Sequence, residues 1–193
     1  MNNTAAADTN PFSTKFWTAG TISFRFSEPG VSADSLLAKA EKFSVCQIAG
    51  PHGSGKSALL LSMLNQYKER ENPAEYQYLL FNEQNRKLPV IQKEWRQKTL
   101  FVDGFEQLPL HHRLRLRYFS KRMILTVHKP LRFIPVLYRT IPQFSIFAEI
   151  VRQISPVPPA ETVLREVFEK SGGNFRNAFF DLYDRWENLP LPE

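Results

Sequence analysis

Eight consecutive residues, Gly50-Pro51-His52-Gly53-Ser54-Gly55-Lys56-Ser57, constrain this chain more than anything else in it. They satisfy GxxxxGK[ST] at every position. The residues before them, 43–49 (FSVCQIA), are apolar and of strand length, and those after, 56–67 (KSALLLSMLNQY), are apolar at helical spacing. Glycines between a strand and a helix let successive backbone N–H groups turn into one concavity, to which the helix adds its positive N-terminal end. The result is a cradle for an anion. A glycine-rich turn that fits the pattern by chance is the alternative, and the strand and helix on either side argue against it.

The rest of the chain repeats strand and helix. Residues 32–43 (SADSLLAKAEKF) predict a short helix with Ser32 or Asp34 as N-cap. Residues 76–81 (YQYLLF), 99–102 (TLFV) and 123–127 (MILTV) are short apolar runs of the kind covered on both faces, with helices predicted between them at 88–96 and 110–119. Residues 144–154 read either as a helix or as a fifth strand followed by one. Alternation of this kind predicts a three-layer α/β fold with a mostly parallel sheet. Proline-rich 154–160 (ISPVPPA) breaks the pattern, and two further helices follow at 161–170 and 175–186, separated by SGGN. The expected organisation is a flexible N-terminal arm at 1–30, an α/β core at 31–154 and a small helical unit at 155–193.

With 193 residues, one core is within reach, since a chain of this size buries roughly 70% of its unfolded surface. Its one cysteine, Cys46, lies in an apolar run and can build neither a disulfide framework nor a thiolate metal site. The first twenty residues lack the basic and apolar regions of a signal peptide, and no run of about 18 apolar residues occurs. A soluble protein of the cytoplasm is expected, with no membrane partner.

Charge is concentrated. Residues 107–148 carry eight Lys and Arg and no Asp or Glu, whereas the remainder has 17 basic and 19 acidic residues. That field attracts phosphate or an acidic partner. Within it HHRLRLR, at 111–117, alternates basic and apolar residues like a strand although the surroundings read as helix. An oligomer surface, a solvated face or a nucleic-acid contact all fit, and no aromatic stacking platform is evident among these residues.

Chemistry gathers at three places. In the loop, Lys56 is placed to reach β- and γ-phosphates and the Ser57 hydroxyl to ligate Mg²⁺. Thr99-Leu100-Phe101-Val102-Asp103 is a buried strand ending in a carboxylate, suited to hold the same Mg²⁺ through water, with a simple turn cap as the alternative. The third place is the GGNFR run that opens the last helix.

With those residues, the chain resembles the P-loop NTPases, and among them the small AAA+-type ATPases, over about residues 35–186. The resemblance implies a sheet of order 5-1-4-3-2, a C-terminal helical lid, ATP with Mg²⁺ as ligands, and ATP hydrolysis. It implies a polar sensor after the 123–127 strand, at His128, and a γ-phosphate-touching arginine at the start of a lid helix, at Arg176. An arginine finger is expected before strand five, where Arg139 is best placed. Asn10-Pro11-Phe12 resembles the segment that folds over adenine, although an incidental aromatic in a loose arm fits equally; no NKxD-type guanine selector occurs, so ATP is expected over GTP.

One departure bears on mechanism. The family usually has Glu directly after the Walker B Asp, where it activates the attacking water; here that position is Gly104, and Glu106 is the nearby carboxylate. The sequence therefore predicts a weak or partner-stimulated ATPase acting as a switch subunit, in a homo-oligomer or with a larger effector protein. A non-hydrolysing nucleotide-binding adaptor is the alternative that Gly104 favours. A small-molecule or nucleotide kinase shares the cradle but does not require the GGNFR tail.

Overall fold

The computed structural model describes residues 10–70, 75–87, 89–90 and 93–188. In chain order the elements are α1 (Thr14–Trp17), α2 (Ala33–Ala40), β1 (Val45–Ala49), α3 (Lys56–Arg70), β2 (Tyr76–Leu80), β3 (Thr99–Asp103), α4 (Leu110–Tyr118), β4 (Arg122–Val127), β5 (Val136–Arg139), α5 (Phe144–Ile154), α6 (Glu161–Lys170) and α7 (Phe175–Glu187). All strand pairs are parallel and the order is β2-β3-β4-β1-β5, the expected 5-1-4-3-2 read from the other edge.

Burial explains why the central strands read as unbroken apolar runs. Every residue of β1 and β3 is buried, because both faces of the sheet are covered. Along β1, Cys46 and Ile48 face α2 and α3, where they pack with Leu37, Leu59, Leu60 and Met63. Val45 and Ala49 point the other way, into a cluster with Trp95, Leu100, Leu116 of α4 and Leu125. The fully buried Cys46 thiol is pushed up to about 12 by that burial, which removes its nucleophilic form at ordinary pH.

The fifth strand corrects the sequence reading. It lies at Val136–Arg139, and 144–154 is helix throughout. A parallel crossover usually takes a dozen or more residues and a helix, so a strand so soon after β4 gave no recognisable spacing. The connection, residues 128–135, instead crosses β1 as a strap that turns at 132–133. Gln47, fully buried in β1, holds it: its Nε2 donates to the carbonyls of Leu131 (2.9 Å) and Ile134 (2.7 Å), and its Oε1 accepts from Leu131 N (2.9 Å). Of the helix expected at 88–96, the structure has a 3-10 turn at Lys93–Gln97; Leu88, Ile91 and Gln92 lie outside the described residues. HHRLRLR is helical: Leu116 is buried while Leu114 is 62% exposed, which explains the misleading alternation.

The C-terminal helices and part of the N-terminal segment share a third apolar cluster. Phe147 and Val151 of α5, Leu164 and Val167 of α6, and Ala178, Phe179 and Leu182 of α7 meet there with Phe12. Asn10 Nδ2 donates to the Tyr183 carbonyl (3.1 Å) and to Glu187 Oε1 (2.8 Å), and the Trp17 ring stacks on Phe179 at 5.0 Å. Docking of the expected arm thus extends past Asn10-Pro11-Phe12; residues 1–9 lie outside the described residues. Further on, Phe24 and Phe26 pack on the α2–α3 cluster beside Tyr138. No helix among the described residues is long and apolar enough to cross a membrane.

Candidate functional site

The glycine-rich loop leaves the C-terminal end of β1 and closes into α3 at Lys56. Two of its residues take conformations only glycine adopts freely, Gly53 at φ 69° and Gly55 at φ 88°. The loop is tied to its surroundings: Ser54 Oγ donates to the Pro51 carbonyl (2.8 Å) and lies 2.6 Å from Thr140 Oγ1, just past β5. Lys56 is buried, and its ammonium donates to the carbonyls of Gly50 (2.7 Å) and Pro51 (2.6 Å). Burial, opposed by the carboxylates of Glu106 and Asp103, pushes it down to about 8. Pro51 and His52 are exposed at the mouth of the loop, and the Ser57 side chain is half-buried in the first turn of α3.

Across from the loop stands Asp103, the last residue of β3 and itself buried. Thr126 of β4 donates its hydroxyl to Asp103 Oδ1 (2.6 Å), and the Tyr78 hydroxyl of β2 reaches Oδ2 (3.4 Å). Burial, followed by the neighbouring Asp103 charge, raises the Tyr78 phenol and keeps it a donor. Gly104 then turns the chain left-handed at φ 72°, where a Cβ would collide with the Phe81 carbonyl oxygen. The backbone itself excludes a side chain from the position after the Asp.

That turn starts a 3-10 helix, Phe105–Gln107, which carries Glu106 back toward the loop. Glu106 Oε1 lies 2.7 Å from His128 Nδ1, and Oε2 is buried with no hydrogen-bond partner among the described residues. Burial raises the Glu106 carboxyl above its ordinary value. Burial, with Lys56 and His52 adding to it, pushes His128 down to about 4, so at neutral pH the contact is a hydrogen bond of neutral imidazole and not an ion pair. The His52 ring of the loop stacks on His128 at 3.5 Å, which joins the loop to this dyad.

The N-terminus of α7 closes the third side. Phe175 N donates to the Gly53 carbonyl (3.3 Å), and Asn174 Oδ1 fills the space a side chain at Gly53 would need. The same Oδ1 caps the helix, accepting from Arg176 N (3.1 Å) and Asn177 N (3.3 Å). Arg176 is exposed in that first turn, close enough for its charge to press on Lys56.

The structure therefore brings Lys56, Asp103, Glu106, His128 and Arg176 around one cradle. Arg139 is placed differently from expectation. It ends β5 in register with Ala49 and is exposed, so it lies within strand five and not before it. Asn10-Pro11-Phe12 docks on the later turns of α7, and the residue that approaches the loop from the N-terminal segment is Phe24, whose ring crowds Gly55. Sequence reasoning passed over Thr126, Tyr78, Thr140 and Phe24. Only Thr126 carried a readable signal, a hydroxyl within the apolar run MILTV; the others reach the site through tertiary packing.

No family model matches the sequence, and no curated protein matches it. Solved structures do. Domain III of the Thermotoga maritima replication initiation protein DnaA matches with a TM-score of 0.54 at 17% identity, over 86% of this chain and 88% of that one. A chain of the Drosophila ORC bound to DNA matches with a TM-score of 0.53 at 14% identity, over 80% of this chain. This chain spans about half (53%) of the ORC chain's length. At these identities the likeness is one of fold: the five-stranded parallel sheet with helices on both faces is the architecture this chain shares with the two neighbours.

Proposed function

We propose that the cradle after β1 binds Mg·ATP and that the protein is a weak or partner-stimulated AAA+-like ATPase, a switch subunit whose α6–α7 pair responds to the nucleotide. The observation that carries this reading is the joint between loop and helix, where Phe175 N meets the Gly53 carbonyl and Asn174 occupies the space beside it. A phosphate chain held by the loop would therefore act on a loop that α7 already contacts at Gly53. On this reading 31–154 is the nucleotide-binding core, 155–193 the lid and 1–30 an arm.

The residues fit the ligand. Gly53 and Gly55 shape an N–H-lined concavity, Lys56 supplies the cation, Ser57 and Asp103 supply hard oxygens, and Glu106 Oε2 is a buried acceptor with its capacity unused. Ser57 and Asp103 are the residues that would hold Mg²⁺, which when bound would supply positive charge against the phosphates. Lys56 shifts its donors from the Gly50 and Pro51 carbonyls to the phosphate oxygens. Asp103, fixed by Thr126 and Tyr78, would help hold the metal. Glu106 Oε2 takes a proton from the water that attacks γ-phosphorus as the bond to the ADP oxygen breaks, and His128 holds the carboxylate through Oε1. Arg176 meets the γ-phosphate from α7. Phe24, at the Gly55 side, is the apolar group offered to the adenine.

Arg139, at the rim, is assigned to a neighbouring copy or a larger effector, whose contact would speed turnover. A reducing cytoplasm suits the single buried Cys46. Nucleic acid is a further partner, supported by the basic stretch 107–148 and by the DNA on which one fold neighbour sits.

Phosphate release from Mg·ATP by wild type and Lys56→Ala, across a protein concentration series, tests the reading. Release that needs Lys56 and rises per subunit with concentration is expected. A second reading, a binding adaptor that does not hydrolyse, is favoured by Gly104, whose geometry denies the usual glutamate its place. No release at any concentration, with binding retained, would select it.

A further inference from the structure

Phe133 stands out from the strap that crosses β1. It is 96% exposed and, among the described residues, the one non-glycine with positive φ, at 64°. A bulky side chain is strained in that region, and the strain is held: Gln47 bonds the carbonyls of Leu131 and Ile134 on either side of it and donates nothing to Phe133 itself. Leu131 and Ile134 turn inward to the cluster under α4, and the Phe133 ring turns out. A second ring, Tyr118 at the end of α4, is 70% exposed on the same side of the sheet, because Leu116 beside it packs into that cluster. Each ring carries an arginine over one face, Arg132 over Phe133 at 5.5 Å and Arg96 over Tyr118 at 5.0 Å.

Beside Tyr118 lies an open hollow of ≈ 490 Å³ lined by Val45, Leu114 and Arg117 among others. Arg117 and Lys121 are exposed on the Tyr118 side, before β4, and Lys129 and Arg132 on the Phe133 side, after it, all in the stretch that has no acidic residue. Arg113 is not part of this surface; it is committed to the carbonyls of Leu108 and Glu106. Exposed aromatic faces backed by guanidinium groups, beside the basic side chains of 107–148, have the chemistry of a site for unpaired bases and their phosphates.

We propose that this face binds single-stranded nucleic acid, with bases stacked on Phe133 and Tyr118 and phosphates met by Arg117, Lys121, Lys129 and Arg132. The stacking platform missing from the sequence reading is supplied by residues that sequence left apart. This rests on the nucleic-acid part of the proposed function and not on its ATP part, so the experiment is run without nucleotide.

Fluorescence anisotropy with labelled (dT)20, (rU)20 and a duplex of equal length tests it. At about 50 mM salt the single strands bind more tightly than the duplex, with a log–log salt slope of about −3 for four phosphates; the two single strands together tell DNA from RNA. Phe133→Gly weakens binding about 5- to 150-fold while raising the melting temperature, because glycine relieves the strained φ; a purely structural residue would move both the same way. Phe133→Trp retains binding, and Tyr118→Ala loses it in part. Absence of binding at about 50 mM salt, equal binding of the duplex, or wild-type affinity in both Phe133→Gly and Tyr118→Ala would overturn the proposal. Self-association that Tyr118→Ala abolishes, without oligonucleotide binding, would assign the face to a protein and overturn it as well.

Discussion

The Thr126 hydroxyl links the two halves of the acidic wall: it donates to Asp103 Oδ1 at 2.6 Å and accepts the Gly104 amide at 2.9 Å. One buried side chain thereby fixes both the carboxylate and the turn that follows it. Thr126→Val keeps the shape but leaves both groups unpaired, and a buried polar group without a partner costs about 1–3 kcal/mol. Urea unfolding should show an unfolding free energy lowered by that amount and a lower midpoint, whereas an unchanged midpoint would contradict the role given to this hydroxyl.

Gly104 carries the most counterintuitive expectation. Replacing it with Glu supplies the residue that the resemblance to AAA+-type ATPases would lead one to expect there, yet φ is 72° and a Cβ meets the Phe81 carbonyl. Gly104→Glu and Gly104→Ala should both destabilise by about 2 kcal/mol or more, from the left-handed conformation and the collision together, and neither should raise phosphate release. Faster release by Gly104→Glu in a stably folded protein would show that the turn relaxes and that Glu106 is dispensable.

Lys56 gives a pH dependence. Its ammonium titrates at about 8 in the folded protein and at 10.5 when unperturbed, so folding is disfavoured by its charge below pH 8. That penalty, about 3 kcal/mol on 1.36 kcal/mol per pKa unit, disappears as pH rises from 8 to 10.5, because the unfolded chain binds the extra proton there. Lys56→Met should therefore be more stable than wild type at pH 7, by up to that amount, and the gap in melting temperature should close toward pH 10.5. A variant less stable than wild type at pH 7 would contradict the sign.

Asn174 serves helix and loop at once. Asn174→Ala removes the cap of α7, worth about 1 kcal/mol, and opens the space against Gly53. Hydrogen exchange should accelerate in the first turn of α7 before it does in β1. Uniform acceleration throughout would mean that α7 does not open separately.

Much of this was legible in the sequence, for identifiable reasons. The Gly50–Ser57 loop needs glycine at fixed positions, and two-sided burial writes itself as apolar runs in β1, β3 and β4, so these could be read directly, as could the half-buried edge strand β2 from its aromatic and apolar residues. β5 could not: its four residues follow a strap in place of a crossover helix, and the cue that permits this is a single buried Gln47. That error also displaced Arg139. Glu106 was seen as a nearby carboxylate, but its tie to His128 depends on the left-handed turn at Gly104, whose cause, the Phe81 carbonyl, is remote in sequence. Phe133 escaped notice because nothing in LRFIP distinguishes an aromatic that turns outward from one that packs.

The central claim is that the Gly50–Ser57 cradle binds Mg·ATP together with the start of α7, and calorimetric titration of Mg·ATP into wild type, Lys56→Ala and Arg176→Ala addresses it most directly. Saturable binding by wild type is predicted, with binding weakened tenfold or more (about 1.4 kcal/mol) in Lys56→Ala and a smaller loss in Arg176→Ala. Wild-type affinity in Lys56→Ala, or no binding by wild type at all, would contradict it.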